Sequence, residues 1–297
     1  MKINEILKNK GIKARRYEKK GKVTIIDTKD KKYVYKEGKI ESQILNYLKS
    51  RSFEYIPSFL NNIQDTYQLS EYISDLNIPK EQKMLDLIRL IALLHSKTTH
   101  YKEIDLDYYE QIYEDLDGNI NYLYIYYTDL ITLIESKVYM SPSESMLANN
   151  ITKIYQTLSK NKERLDKWHS HIKEKRKERR VVLHNNLKLE HFLESDIPYL
   201  ISWDKAKIGN PVFDIYKLYQ NHILDFDFET ILNEYEKSYP LLKEEKELLF
   251  ILISMPDLID FKQDEYTNCK IISKMLDKIY KTEMFLSPEK PKDRAKQ

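Results

Sequence analysis

The stretch VVLHNNLKLEHFL, Val181 to Leu193, decides how the rest of the chain is read. Three apolar residues lead into His184, and the pair Phe192–Leu193 closes the segment. Branched and aromatic residues at its ends favour short strands, while the polar middle, with Asn186, Glu190 and His191, favours a loop. YLISW, Tyr199 to Trp203, adds another short strand. The setting makes this informative, because helical periodicity surrounds the unit on both sides.

Upstream, EQKMLDLIRLIALLHSKT sets Met84, Leu87, Ile88, Ile91, Leu94 and His95 along one apolar stripe, the spacing of an amphipathic helix. Further helical windows cover 105–136, 143–180, 227–238, 243–254 and 265–285. YLYIYYTDLITLI (Tyr122–Ile134) reads as an aromatic-rich amphipathic helix packed in the core. KEKRKERR (Lys173–Arg180) reads as a solvated helix face rather than a surface for an anionic partner.

Nearer the N-terminus the period changes. Residues 12–36 carry strand signals, with KVTIIDT and KKYVYKE forming a hairpin about a polar turn. ESQILNYLKSR places Ile44, Leu45 and Leu48 on one helical face. YIPSFL and YQLSEYI are expected as two more strands, with Pro57 at a start or edge. The expected organisation is therefore a strand-rich region over 1–76, a helical region over 77–286 and a polar tail over 287–297. The fold class is α+β, in two lobes.

Composition narrows the function. With 49 basic and 47 acidic residues the net charge is +2, which gives no general drive toward nucleic acid or anionic lipid. A single cysteine, Cys269, excludes an intrachain disulfide and a thiolate zinc site. MKINEILKNKGIKARRYEKK lacks an apolar core of signal-peptide length, and LIRLIALLH and LLFILISM are too short to span a bilayer. A cytoplasmic location is the default expectation. No Walker loop, nucleophile elbow or dinucleotide fingerprint is present. His169 and His171 flank Ser170 without a third ligand in view.

Taken in order, YVYK, LSEYI, LIALLHS, HNNLKLEHFL, YLISWDKAKIGNP and FDIYKLY resemble the aminoglycoside phosphotransferase and choline kinase group of kinase-like proteins. The resemblance covers roughly residues 12 to 220. It implies a bilobal kinase-like fold and gives each motif a role. Lys36 matches the lysine that contacts nucleotide phosphates, with Glu41 as its expected helix partner. Leu69 to Ile73, including Glu71, match the hinge that meets an adenine ring. His184 opens the catalytic loop and holds its shape. Gly209, Pro211 and Asp214 match a downstream pattern in which Asn210 replaces an aspartate, and Asp214 is expected to brace the loop.

The departures fall on the chemistry. Asn186 stands where the group has its catalytic aspartate, and an amide cannot accept a proton from an attacking hydroxyl. His191 stands at the metal-binding asparagine, although Mg²⁺ prefers hard oxygen ligands. Ser202 stands at the principal metal-binding aspartate. Only Gly21 remains near the phosphate-loop turn. The resemblance thus points to a pseudokinase with no cofactor required, and any ATP would bind without metal. The alternative is an active small-molecule kinase using Asp204 and Glu190 as metal ligands. ILNYLKSRSFEYIPSFL and YEKSYPLLKEEKELLFILISMP further resemble the spore-coat kinase-like proteins of the CotS and YutH type in endospore-forming bacteria. That branch implies spore-coat proteins as partners.

Overall fold

The computed structural model describes residues 3–39, 41–62 and 65–286; the tail 287–297 lies outside them. The chain order is α1 (Ile3–Asn9), β1 (Arg16–Lys20), β2 (Val23–Asp27), β3 (Lys32–Glu37), α2 (Ser42–Ser50), β4 (Tyr67–Glu71) and α3 (Lys80–Thr98). Next come β5 (His100–Glu103), α4 (Leu106–Glu135), α5 (Pro142–Lys173), β6 (Lys177–Leu183), β7 (Phe192–Leu193), β8 (Tyr199–Leu200) and β9 (Lys207–Gly209). Four helices complete the described chain: α6 (Val212–His222), α7 (Phe228–Ser238), α8 (Lys243–Ile253) and α9 (Glu265–Leu286). The expected class holds: α+β, with a small antiparallel sheet toward the N-terminus and a larger helical part after it.

Two compact units divide the chain. The first takes Met1–His100, Arg180–Asp214 and Glu234–Tyr239, and Leu76 lies inside it. Its sheet is β1-β2-β3-β4 in sequence order, every pair antiparallel. Alternation along the strands splits the side chains between two faces. One face buries Ile26, Tyr35 and Leu69 against Ile6 and Leu7 of α1. The other carries Val23, Ile25, Val34 and Lys36, and it forms the site described below. In α3, all six residues of the expected stripe are buried.

The second unit takes Tyr101–Arg179, Ile215–Asn233 and Pro240–Gln297, with α5 packed against α4, α8 and α9. Ser141 starts α5 with a capping box, satisfying N–H groups that the first helical turn leaves unpaired.

Two expectations are corrected. YIPSFL is not a strand: Phe59 makes only an isolated bridge to Ser70. Pro57 has no N–H to offer a ladder, and this limits pairing there. KEKRKERR is not a helix face, because α5 stops at Lys173 and Lys177–Leu183 is β6. There Arg179 is buried and bonded to Glu245, so a partner distant in sequence neutralises a charge that looked solvated. The amphipathic reading of Tyr122–Ile134 holds: Leu123, Tyr127, Ile131 and Ile134 are buried, while Tyr122, Tyr124, Ile125 and Leu133 are exposed. Only one face of that helix is core.

Candidate functional site

The site grows from the end of β6. Val181, Val182 and Leu183 are fully buried, and Val181 pairs with Gly209 of β9. A Cβ on Gly209 would lie 2.6 Å from Leu183 Cδ1, so any larger residue would force the buried Leu183 side chain to shift.

The chain then turns over Asp214, whose side chain has no exposed surface. Its Oδ2 accepts the His184 N–H at 2.8 Å and its Oδ1 accepts the Asn185 N–H at 2.7 Å. Asn185 adopts a left-handed φ of 55°, a conformation asparagine tolerates better than most residues. Behind Asp214 stands His95, with Nε2 3.3 Å from Oδ2 and Nδ1 2.6 Å from the Tyr235 hydroxyl. His184 donates from Nε2 to the Ile201 carbonyl at 2.8 Å, which fixes its tautomer. Burial pushes its pKa below the ordinary histidine value against the pull of Asp214, so the ring is neutral.

The positions expected to carry chemistry sit around this brace and are half exposed. His191 Nδ1 donates to the Asn186 carbonyl at 2.6 Å. Ser202 has a φ of 67°, and its Oγ lies 3.5 Å from Lys36 Nζ. The partner of Lys36 is Asp204 Oδ1, at 2.5 Å. Partial burial works against the Asp204 carboxylate, but the hydrogen bond and charge of Lys36 outweigh it and hold its pKa below the ordinary value.

Glu41 is not the ion-pair partner of Lys36 here. It is exposed at the start of α2 and makes no cap bond with its side chain. Glu190 is exposed on the short 3-10 turn Leu189–His191, with no ion pair among the described residues. No cluster of three or more metal-ligating side chains exists among the described residues. His169 pairs with Glu110 at 2.8 Å and His171 with Glu247 at 2.7 Å, so these two histidines serve separate contacts.

A cavity of about 220 Å³ lies beside Lys36 and Ser202. Its walls are mostly apolar: Val23, Ile25 and Val34 from the sheet, Leu193 and Ile201 from beyond it. Its border includes Glu71, Tyr72 and Ile73. There the backbone matters more than the side chains, since the Glu71 carboxylate pairs with Lys31 at 2.5 Å on the surface. The Tyr72 N–H donates to the Lys32 carbonyl, so antiparallel alternation turns the Glu71 backbone away from β3. Leu69, two residues earlier, faces the same outward way. Its N–H is taken by the Asn61 side chain and its carbonyl by the Leu60 N–H. For Glu71 and Ile73, no backbone partner on that side occurs among the described residues. The site therefore offers free main-chain donors and acceptors along one wall.

Register extends the row beyond Lys36. Val23 pairs with Lys36 on one side and Lys20 on the other, which sets Lys20 on the same sheet face. Two strand spacings separate the lysines, about 10 Å between Cα atoms. Lys20 lies next to the Gly21 turn, where φ is +59°.

Asp204 as the lysine's partner and His95 as the support behind Asp214 were not expected from the sequence. The signal for Asp204 was its spacing from Ser202; the position of His95 on an apolar stripe masked its role.

No protein-family model matches this sequence. No curated protein matches it either. Solved structures do. An aminoglycoside phosphotransferase from Alicyclobacillus acidocaldarius subsp. acidocaldarius superposes with a TM-score of 0.71 at 11% identity, covering 92% of this chain and 90% of that one. A spectinomycin phosphotransferase bound to AMP gives 0.56 at 14% identity, with 96% and 98% covered. A choline kinase from Streptococcus pneumoniae gives 0.50 at 18% identity, with 94% and 97% covered. The chain has the protein kinase-like fold of these phosphotransferases.

Proposed function

We propose that this protein is a pseudokinase: it binds a nucleotide in the apolar cavity beside Lys36 and does not transfer its phosphate. One observation carries the reading: Asp204, the carboxylate beside the lysine, is held in a 2.5 Å ion pair. The sequence resemblance adds that Asn186, His191 and Ser202 stand at the positions of base and metal ligands. Hard divalent cations need several oxygen ligands, and phosphoryl transfer needs the cation to offset charge building on the phosphate. A lone, engaged carboxylate provides neither.

Nucleotide binding is supported separately. The cavity is largely apolar, and its edge offers main-chain groups at Glu71 and Ile73 of the kind a purine base pairs with. The spectinomycin phosphotransferase of the same fold is solved with AMP and with ADP. Phosphates would lie toward Lys36, with Lys20 on the same face supplying positive charge where a metal is missing. The spore-coat role follows from the sequence resemblance, with coat proteins as partners, and belongs to the same proposal. No described helix is long and apolar enough to cross a membrane.

Calorimetric titration with ATP, in Mg²⁺ and in EDTA, tests this. Binding is expected in both buffers with similar affinity, and Lys36→Met should weaken it about tenfold, the loss of one charge-assisted contact. No ATP consumption is expected. Magnesium-dependent ATP consumption that disappears in Asp204→Asn would replace this reading with the active-kinase alternative.

A further inference from the structure

In the second unit, α5, the end of α8 and α9 enclose a cavity of about 180 Å³. Thr157, Lys160 and Arg164 enter it from one face of α5, and Lys278, Thr282 and Glu283 from one face of α9. Ile253 and Ile279 contribute apolar surface, and both are buried.

Arg164 is the unusual member. It is half buried and donates from Nη1 to Ser254 Oγ at 3.1 Å. Among the described residues no carboxylate lies within ion-pair distance of it. Glu283 is the nearest acidic group on the rim, and it sits 3.8 Å from Lys160. Guanidinium groups withdrawn from water are ordinarily met by a carboxylate or phosphate in a two-pronged bond. Burial lowers the Arg164 pKa, and the charges of Glu283 and Glu163 only partly offset that cost.

The hydroxyls around the cavity cannot serve as donors to a ligand. Thr157 donates to the Lys153 carbonyl at 2.8 Å, Ser254 to Phe250 at 2.6 Å and Thr282 to Lys278 at 2.7 Å. What remains is a set of cations approaching from two helices: Arg164 and Lys160 from α5, Lys278 from α9. Lys278 is shared with Asp257 at 2.8 Å. Donors converging from separate directions suit a tetrahedral anion better than a planar one.

We infer that this cavity is a binding site for a small phosphate-bearing molecule, held by Arg164 with Lys160 and Lys278. It uses no residue of the nucleotide cavity and stands whether or not ATP binds there.

Inorganic phosphate is the probe, titrated calorimetrically into the full chain, with sodium acetate and sodium chloride at matched ionic strength as comparators. Saturable binding of phosphate alone is expected, weakened at least tenfold in Arg164→Met. Lys160→Ala, on the exposed rim, should weaken it about threefold and covers the case in which Arg164→Met fails to fold. No saturable phosphate binding, equal binding of acetate, or unchanged affinity in both variants would overturn the assignment and leave Arg164 as a support for the end of α8.

Discussion

Two parts of the first unit lie within a few residues of each other and follow different rules. In the brace, Asp214, His184 and His95 are fully buried, and Asp214 holds two backbone N–H groups. Around it, Asn186, His191 and Ser202 are half exposed, and Asp204 is open to solvent on one side. A buried polar group left without its partner costs about 1–3 kcal/mol, whereas an exposed one turns to water. The brace residues are therefore dictated by the fold itself. On the proposed reading the surrounding positions answer only to a reaction, and there the side chains can change while the backbone keeps its course.

The sharpest way to break this contrast is Asp214→Asn. The amide retains one oxygen acceptor but turns an N–H₂ toward a backbone donor, and it removes the charge that both bonds use. A loss of about 3–5 kcal/mol is expected in urea unfolding. A loss below about 1 kcal/mol would mean that the brace is no more demanding than its surroundings. Gly209→Ala is next. The added methyl meets Leu183 Cδ1 at 2.6 Å in a fully packed strand pair, so about 1–3 kcal/mol should be lost. Leu183→Val in the same chain should recover part of that, and strictly additive losses would show that the clash is not the cause.

How much of this was legible in the sequence follows the same division. The α3 stripe, the β2–β3 hairpin and the short strands around His184 were readable because periodicity reports burial directly. KEKRKERR misled because its partner lies elsewhere in the chain. Local composition cannot show that Arg179 will meet Glu245, 66 positions away, and so become a buried strand residue. The site shows the limit differently. The resemblance gave Lys36 a partner in Glu41, but the ion pair formed spans 168 positions to Asp204. Alternation along β4 does contain the outward turn of Glu71, yet only the register with β3 says which residues face out.

The smallest effect concerns His184 and sharpens the comparison through pH. Its native pKa lies below the ordinary value because burial disfavours the imidazolium, while the unfolded chain titrates near about 6.5. As pH falls through that value the unfolded state takes up a proton that the native state refuses. The stability tied to the neutral ring is therefore fully present above about pH 6.5 and is lost progressively below it. In His184→Gln the side chain can still donate to the Ile201 carbonyl but cannot titrate. The stability advantage of the unmodified chain over this variant should shrink between pH 6.5 and 5.5, by at most about 1 kcal/mol, the effect of one proton. A difference that stays constant across that range would mean that His184 takes up its proton inside the fold. The brace would then be as open to solvent as the positions around it.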